Sequence, residues 1–271
     1  MSGVIVLCAD LKGIKGASRQ LFTIRTAVAV ISLLAVGPFP SVRGATAEAE
    51  ESFVTMFDGR TLKGWHAVPA ESESDWSVRE GVIVGSGSAD RLSYLVWHNE
   101  ALDDFELALR YRLPTKGNSG IEIRAQADPS RRRPFVGYHA DFGHVGIGAR
   151  ILGAWDFHFD GRRTEHPCHC GTRLTIDEHD QPHATEILGA LKETDVRDGD
   201  WNEVRVIAAG HHFQYFINGK LASEFTDNAQ EGRLDRGAIG LQIHDKGMRV
   251  EFKDLRIKRP AITNGSGVRL P

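Results

Sequence analysis

Between Phe105 and Leu113 apolar and polar side chains alternate: Phe105, Leu107, Leu109, Tyr111 and Leu113 fall in one phase, Glu106, Ala108, Arg110 and Arg112 in the other. Successive side chains of a strand point to opposite faces, so this stretch predicts an antiparallel strand with one face on a core. Short runs of the same kind recur. Phe53–Phe57 ends at Asp58-Gly59, and Trp76–Arg79 and Val82–Gly85 flank Glu80-Gly81 as a hairpin would. Val204–Ala208 and Phe213–Ile217 flank His211-His212, and Asn218-Gly219 supplies a positive-φ turn before Leu221–Phe225. In the last run, Met248–Lys258, Val250 and Phe252 keep one phase and Leu255 and Ile257 the other, so a β-bulge is predicted near Lys253-Asp254. Only Thr185–Thr194 has a helical look. With no βαβ alternation and no repeat of fixed period, the pattern predicts an all-β, two-sheet antiparallel sandwich of the jelly-roll type.

Two of the strands carry chemistry. In Asn118-Ser119-Gly120-Ile121-Glu122-Ile123-Arg124, Glu122 and Arg124 share a face, and in Gly240-Leu241-Gln242-Ile243-His244 so do Gln242 and His244, with the aliphatic residues opposite. His139 and Asp141 alternate in the same way within Gly137–Phe142, and join Glu122 and Arg124 if the two strands lie in one sheet. A solvated strand face would show the same alternation. On that plainer reading Asn118-Ser119-Gly120 shapes a turn, His244 ends a strand and Asp141 caps the following Gly-rich loop.

The N-terminal region changes the picture of where the protein works. Arg19 and Arg25 precede an apolar run from Ala27 to Val36, followed by Pro38, Pro40 and Ala45-Thr46-Ala47, which reads as a signal peptide over residues 1–47 with a long basic n-region. No later stretch nears the roughly 20 apolar residues of a membrane span. The mature chain, 48–271, carries 28 basic against 35 acidic residues, a net charge of −7, which argues against nucleic acid as a partner. It reads as one domain over 48–260 with a Gly-, Asn- and Ser-containing disordered tail at 261–271. Its two cysteines, Cys168 and Cys170, exclude a disulfide framework. With His158, His166, His169, His179 and His183 nearby they offer soft-metal ligands, but the spacing is not C-x-x-C, and a loop with incidental histidines fits better. No Gly-x-Ser-x-Gly elbow and no G-x-G-x-x-G opening a helix is present, which removes serine hydrolase and nucleotide-binding readings.

The order of short strings is more specific than any one of them: Phe57-Asp58-Gly59 with Leu62 and Gly64-Trp65, Trp76-Ser77-Val78, Gly81-Val82, Asp104-Phe105-Glu106-Leu107, Asn118-Ser119-Gly120-Ile121, Gly137-Tyr138, Trp201-Asn202, Asn218-Gly219 and Gly240–His244. Over about residues 53–259 this resembles the 3-keto-disaccharide hydrolase family. The resemblance implies a concanavalin A-like lectin/glucanase sandwich with a sugar site on the concave sheet face. It also implies cleavage of glycosides whose sugar is already a ketone at C3. Such a ketone acidifies the C2 proton, so a base can form an enolate that expels the C1 substituent before water adds. This chemistry needs a base, a group to hold the enolate oxygen and a donor for the leaving group.

Candidates for those roles are His244 first as base, then His139 or Asp141, with Arg124 as a fixed cation and Glu122 beside it. Asn118 and Gln242 suit sugar hydroxyls, and Trp155, with Tyr138 and His158, suits stacking on a sugar ring, with core packing an equal reading for Trp155. The sequence specifies no cofactor; a divalent metal on Glu122, His139, Asp141 or His244 would also serve to stabilise the enolate. The expected partner is an oxidised carbohydrate, and neither the sugar nor the oligomeric state is legible. A non-catalytic lectin-like module is the alternative reading, distinguished by a face of aromatics rather than titrating groups. A two-carboxylate glycosidase using Glu122 and Asp141 is a third. Mass spectrometry of the exported protein is expected to find an N-terminus near Glu48; a full-length chain confined to the cytoplasm would refute the leader.

Overall fold

A computed structural model describes residues 52–161 and 163–259, so the leader and the tail lie outside the described residues. In chain order the first eight strands are β1 (Val54–Thr55), β2 (Trp65–Val68), β3 (Trp76–Arg79), β4 (Val82–Ser86), β5 (Ser93–Leu102), β6 (Phe105–Arg112), β7 (Asn118–Ala127) and β8 (Phe135–Gly143). They are followed by β9 (Trp155–His158), β10 (Thr172–Ile176), β11 (Pro182–Glu186), β12 (Asn202–Ala209), β13 (His212–Ile217), β14 (Lys220–Asp227), β15 (Gly237–Ile243) and β16 (Arg249–Lys258). One sheet of ten strands has the order β11-β10-β14-β13-β12-β6-β16-β4-β3, with β1 on β16; the other has the order β2-β5-β15-β7-β8-β9. The β10–β14 pair is parallel within an otherwise antiparallel pattern. This is the two-sheet jelly-roll sandwich expected from the alternation. Among the described residues no helix is long and apolar enough to cross a membrane.

The inward phase of each strand makes the core. Leu107, Leu109 and Tyr111 of β6 are buried, and Ile121, Ile123, Tyr138, Ala140, Phe142, Trp155 and Phe157 come from the facing sheet. Tyr111 stacks on Phe142 at 4.1 Å, and Trp155 meets Phe225 edge-on at 5.0 Å, so these aromatics join the two layers. It follows that the alternate residues of β5, β15, β7, β8 and β9 project from the far side of the six-stranded sheet.

Local turn chemistry agrees with the sequence. Glu80 and Gly81 (φ 49° and 78°) and Asn218 and Gly219 (φ 49° and 77°) form left-handed pairs at the hairpin tips. The bulge in β16 falls at Asp254 (φ 56°), where pairing with β6 slips between Lys253 and Arg256. The helical expectation for Thr185–Thr194 is corrected. Thr185 lies in β11, Gly189 breaks the run at φ 72°, and Leu191 N–H bonds Leu221 O, leaving one 3₁₀ turn at Glu193–Asp195.

A second correction concerns Arg124, expected on the face of Glu122. Pairing of β7 with β8 slips between Ile123 and Gln126, and Arg124 takes φ 49°, so a bulge turns its side chain to the core side. There its guanidinium lies 4.6 Å over the Phe213 ring and donates to Leu234 O and Gly210 O (both 2.8 Å) and to Asp103 O (3.1 Å). Arg124 is a clasp between β7 and three turns. Truncating it strands these acceptors and leaves a cavity, so Arg124→Ala is expected to cost about 3–5 kcal/mol in denaturant unfolding. A loss under about 1 kcal/mol would contradict this role.

Candidate functional site

Register brings the outward side chains together. Glu122 pairs with His139, His139 with Asp156, and Gly137 with His158, so three neighbouring strands present a carboxylate, two imidazoles and a further carboxylate to one patch. Gln242 and Tyr94 pair across β15 and β5 on the same face. Two glycines make the patch possible. A Cβ on Gly137 would lie 2.1 Å from Glu122 Oε1, and one on Gly120 would lie 2.1 Å from His139 Nε2. The Glu122 carboxylate therefore lies across Gly137, and the His139 ring across Gly120.

Glu122 is fully buried, and its Oε2 meets His139 Nδ1 at 2.8 Å and His158 Nδ1 at 2.9 Å. The two rings stack at 4.9 Å. Their far nitrogens face carboxylates, His139 Nε2 at 3.4 Å from Asp141 Oδ1 and His158 Nε2 at 3.3 Å from Asp156 Oδ2. The result is a row of alternating charge, Asp156, His158, Glu122, His139, Asp141. Burial opposes ionisation at its centre, but the His158 charge and the bonds from both imidazoles outweigh it and bring Glu122 down to about 2. Burial likewise opposes charge on His139, yet Asp141 and Glu122 raise it to about 10, and Glu122 and Asp156 raise His158 to about 9.

Four buried polar atoms of this face have no hydrogen-bond partner: Glu122 Oε1, His139 Nε2, Gln242 Oε1 and Asn118 Oδ1. Buried polar atoms are nearly always paired, so four orphans on one face mark a surface shaped for a ligand. Gln242 Nε2 donates to Tyr94 OH at 2.9 Å. Burial and the Glu122 charge push the Tyr94 phenol above its ordinary range, which keeps it a neutral hydroxyl. Beside Tyr94, Val96, Ala125, Phe135 and Ala238 line an open cavity of about 620 Å³. Another cavity, of about 830 Å³, opens past Val136 and Phe159, core residues whose strand phase is opposite to that of Glu122 and His139, and Arg163 in its wall is already held by Asp227 and Asp180.

Of the residues singled out in the sequence, Glu122, His139, Asp141, Gln242 and Asn118 share this face. His244 does not join the row. It follows the last residue of β15, is about half exposed, and pairs through Nδ1 with Asp245 at 2.8 Å. Arg124 is withdrawn by its bulge. Tyr138 and Trp155 are core residues, corrected from the stacking role: Tyr138 donates to Asp227 Oδ2 at 2.6 Å among Phe157, Phe159, Phe213 and Phe225, and Trp155 packs on Phe213, Tyr215 and Phe225. Strand phase is the reason: Tyr138 and Trp155 each precede an outward-facing residue, His139 and Asp156, and pair across the sheet with core residues, Tyr138 with Ile123 and Phe157 and Trp155 with Ala140.

Sequence reasoning missed His158 as a partner of Glu122, and missed Asp156 and Tyr94. The signal was present in Trp155-Asp156-Phe157-His158, where aromatic and ionisable residues alternate, but His158 reads more readily with the histidines that come after it. Those do not converge. Cys168 Sγ faces Glu224 O, Cys170 Sγ faces Leu191 O, and His166 pairs with Asp180. Among the described residues, the group with ligand atoms close enough for a metal is Glu122, His139 and His158, all within 4.8 Å of one another.

Among solved structures, similarity is found to a candidate glycosyl hydrolase from Parabacteroides distasonis, at 19% identity over 78% of this chain and 94% of that one, with a TM-score of 0.51. A second such protein from Parabacteroides distasonis has 18% identity over 77% and 100%, with a TM-score of 0.49. The carbohydrate-binding module CBM66 from Bacillus subtilis has 13% identity over 72% and 95%, with a TM-score of 0.47. The first supports the fold, and none at these identities bears on activity. Among curated proteins, none matches the chain. The family model of the 3-keto-alpha-glucoside-1,2-lyase-like domain matches residues 52–258, and the chain belongs to that family.

Proposed function

We propose that this protein is an exported carbohydrate-active enzyme that cleaves 3-keto-glycosides, 3-keto-disaccharides among them, by proton abstraction at C2, elimination at C1 and hydration. The observation that carries the reading is a row of five ionisable groups, four of them buried, on a sheet face that also carries the orphaned side-chain oxygens of Gln242 and Asn118. Family membership supports a carbohydrate substrate, and the basic and apolar leader pattern supports export.

The roles follow from position. Asp141 stands at the substrate end of the row, two strands from Gln242 with only Gly120 between, a span of about 10 Å that suits a sugar ring. It is the carboxylate best placed to take the C2 proton. As the C2–H bond breaks, its electron pair moves toward the C3 carbonyl, and the positive charge held in the row opposes the enolate charge. The enolate then re-forms the ketone as the C1–O bond breaks and C1=C2 forms, and the departing oxygen takes a proton, for which the neutral Tyr94 hydroxyl is the candidate donor. Water adding across C1=C2 completes the cleavage. Gln242 and Asn118 offer orphaned carbonyls to sugar hydroxyls, and the apolar cavity past Tyr94 is open to the leaving group. A non-catalytic module fits less well, because Trp155 and Tyr138, which it would need as platforms, are in the core.

Incubation with a 3-keto-glycoside and with its unoxidised parent tests the reading. Only the ketone is expected to react, because without the C3 carbonyl the C2 proton is too weakly acidic for a side-chain base; equal turnover of the parent would overturn it. Asp141→Asn is expected to lower kcat by about 10²–10⁴ if Asp141 is the base. His244→Ala is expected to leave kcat within a few-fold, the reverse of the expectation from sequence. Gly137→Ala is expected to displace the Glu122 carboxylate and abolish most turnover at a stability cost of about 1–3 kcal/mol. Wild-type turnover in that variant would show that the position of Glu122 is immaterial.

A further inference from the structure

We propose that the cavity beside Tyr94 is a leaving-group subsite that takes an aromatic aglycone, so that the preferred substrates are 3-keto-glycosides of phenols and not of a second sugar. The reaction it serves rests on the keto-dependent reading; the binding preference is measured without it.

Three observations converge. First, the cavity continues the face that carries the ionisable row. Gly240 of β15 pairs with Glu122 of β7 on one side and with Val96 of β5 on the other, so the cavity wall at Val96 stands two strands, about 10 Å, from Glu122. A substituent on C1 of a sugar held between Asp141 and Gln242 lies along the same sheet surface. Second, the wall is apolar. The side chains of Val96, Ala125, Phe135 and Ala238 offer no hydrogen-bonding atom, and the polar residues of the lining, His66, Gln126 and Arg236, are exposed. Gln126 Nε2 is already given to Arg236 O at 2.8 Å, and the Arg236 guanidinium to Ala101 O at 3.3 Å. A second sugar buried against such a wall would leave hydroxyls without partners, a cost that an aryl ring does not carry. The Phe135 ring meets Tyr94 edge-on at 5.4 Å, an aromatic corner that a third ring can join. Third, the bulge in β7 clears the floor. Arg124 turns to the core at φ 49°, and Ala125, which follows it, pairs with Ala238 and lines the cavity, so two methyl groups stand where a regular strand would carry a guanidinium.

The leaving-group chemistry agrees. Cleavage of the C1–O bond sends its electron pair to the departing oxygen, which takes one proton, and water then adds across C1=C2. Burial and the Glu122 charge make the Tyr94 hydroxyl hold its proton harder than an ordinary phenol does. Such a donor is poorly matched to a sugar alkoxide. A phenol oxygen, with an unperturbed pKa of about 10, departs with far less help. The occupant that suits the walls is thus also the one that asks least of the candidate donor. At about 620 Å³ the cavity falls within the size range of small-molecule sites.

Calorimetric titration with unoxidised glucosides tests the subsite apart from turnover. The probes are both anomers of methyl glucoside and of 2-naphthyl glucoside, with maltose and cellobiose as the disaccharides. The naphthyl glucoside is expected to bind at least about tenfold tighter than the methyl glucoside of the same anomer and than either disaccharide, from the apolar area its rings bury. A smaller preference, or no binding of the naphthyl glucoside, overturns the subsite. In Ala238→Phe, which fills the cavity, the naphthyl-to-methyl ratio is expected to fall at least about threefold, and an unchanged ratio in the folded variant also overturns it. Should that variant fail to fold by circular dichroism, titration of the wild type with 2-naphthol serves instead: mutual displacement of 2-naphthol and its glucoside supports the subsite, and its absence overturns it. Assay on the 3-keto forms keeps the two ideas apart. Naphthyl preference without keto-dependent turnover leaves the subsite standing and removes the keto-dependent reading, while keto-dependent turnover without the preference does the opposite.

Discussion

A carboxylate sealed from water in the middle of a sheet face sets the terms for everything around it. An isolated buried carboxylate costs many kcal/mol and would protonate, so Glu122 can stay ionised only with partners at hydrogen-bond distance. The two imidazoles supply them, and their charges in turn need Asp141 and Asp156. The row is thus closed electrostatically at both ends. It also dictates sequence where no charge is involved: Gly137 must be bare for the Glu122 carboxylate to cross it, and Gly120 for the His139 ring. The sheet order β7-β8-β9 is the geometric condition, since only adjacent strands bring side chains from three chain segments this close.

The opposite face of the same strands does different work. Ile121, Ile123, Tyr138, Phe142, Trp155 and Phe157 lock the six-stranded sheet to its partner through aromatic contacts. Because strand phase assigns every residue to one face or the other, core and site are interleaved residue by residue, and the packing that fixes Tyr138 also fixes His139. That gives the candidate site a stiff support.

Most of the fold was legible in the sequence because alternation is a local property. The β6 pattern, the Glu80-Gly81 and Asn218-Gly219 turns and the bulge near Asp254 all arise from residues within a few positions of one another. The site was legible only in part, for identifiable reasons. Glu122, His139 and Asp141 came out together because their strands are consecutive. Arg124 failed because a bulge inserts one residue into β7, and a single inserted residue reverses the phase of the remaining strand. His244 failed because it lies one residue past the end of β15, where alternation no longer places a side chain, and Asp245 is at hand to hold it. Residue type alone offers Tyr138 and Trp155 as stacking platforms and leaves core packing equally open for Trp155; strand phase sends both to the core. His158 was lost to its neighbours in sequence, since a histidine-rich stretch invites a collective reading, whereas its partner lies 36 residues away.

The bulge at Arg124 ties the core to the reactive face. Without it β7 would carry Arg124 outward, two positions from Glu122, and a guanidinium there would compete with His139 and His158 for the carboxylate. Turned to the core side, Arg124 instead binds backbone carbonyls of the turns near Asp103, Gly210 and Leu234. The same irregularity therefore removes a fixed cation from the face and uses it to fasten the far end of the strand. Glu122 is left with partners that can give up their protons, which arginine cannot. A carboxylate paired to arginine would be an inert ion pair; one paired to two histidines can exchange protons or accept a metal. For that reason the identity of the partners, more than the burial of Glu122 itself, suits this face to the proton chemistry proposed for it.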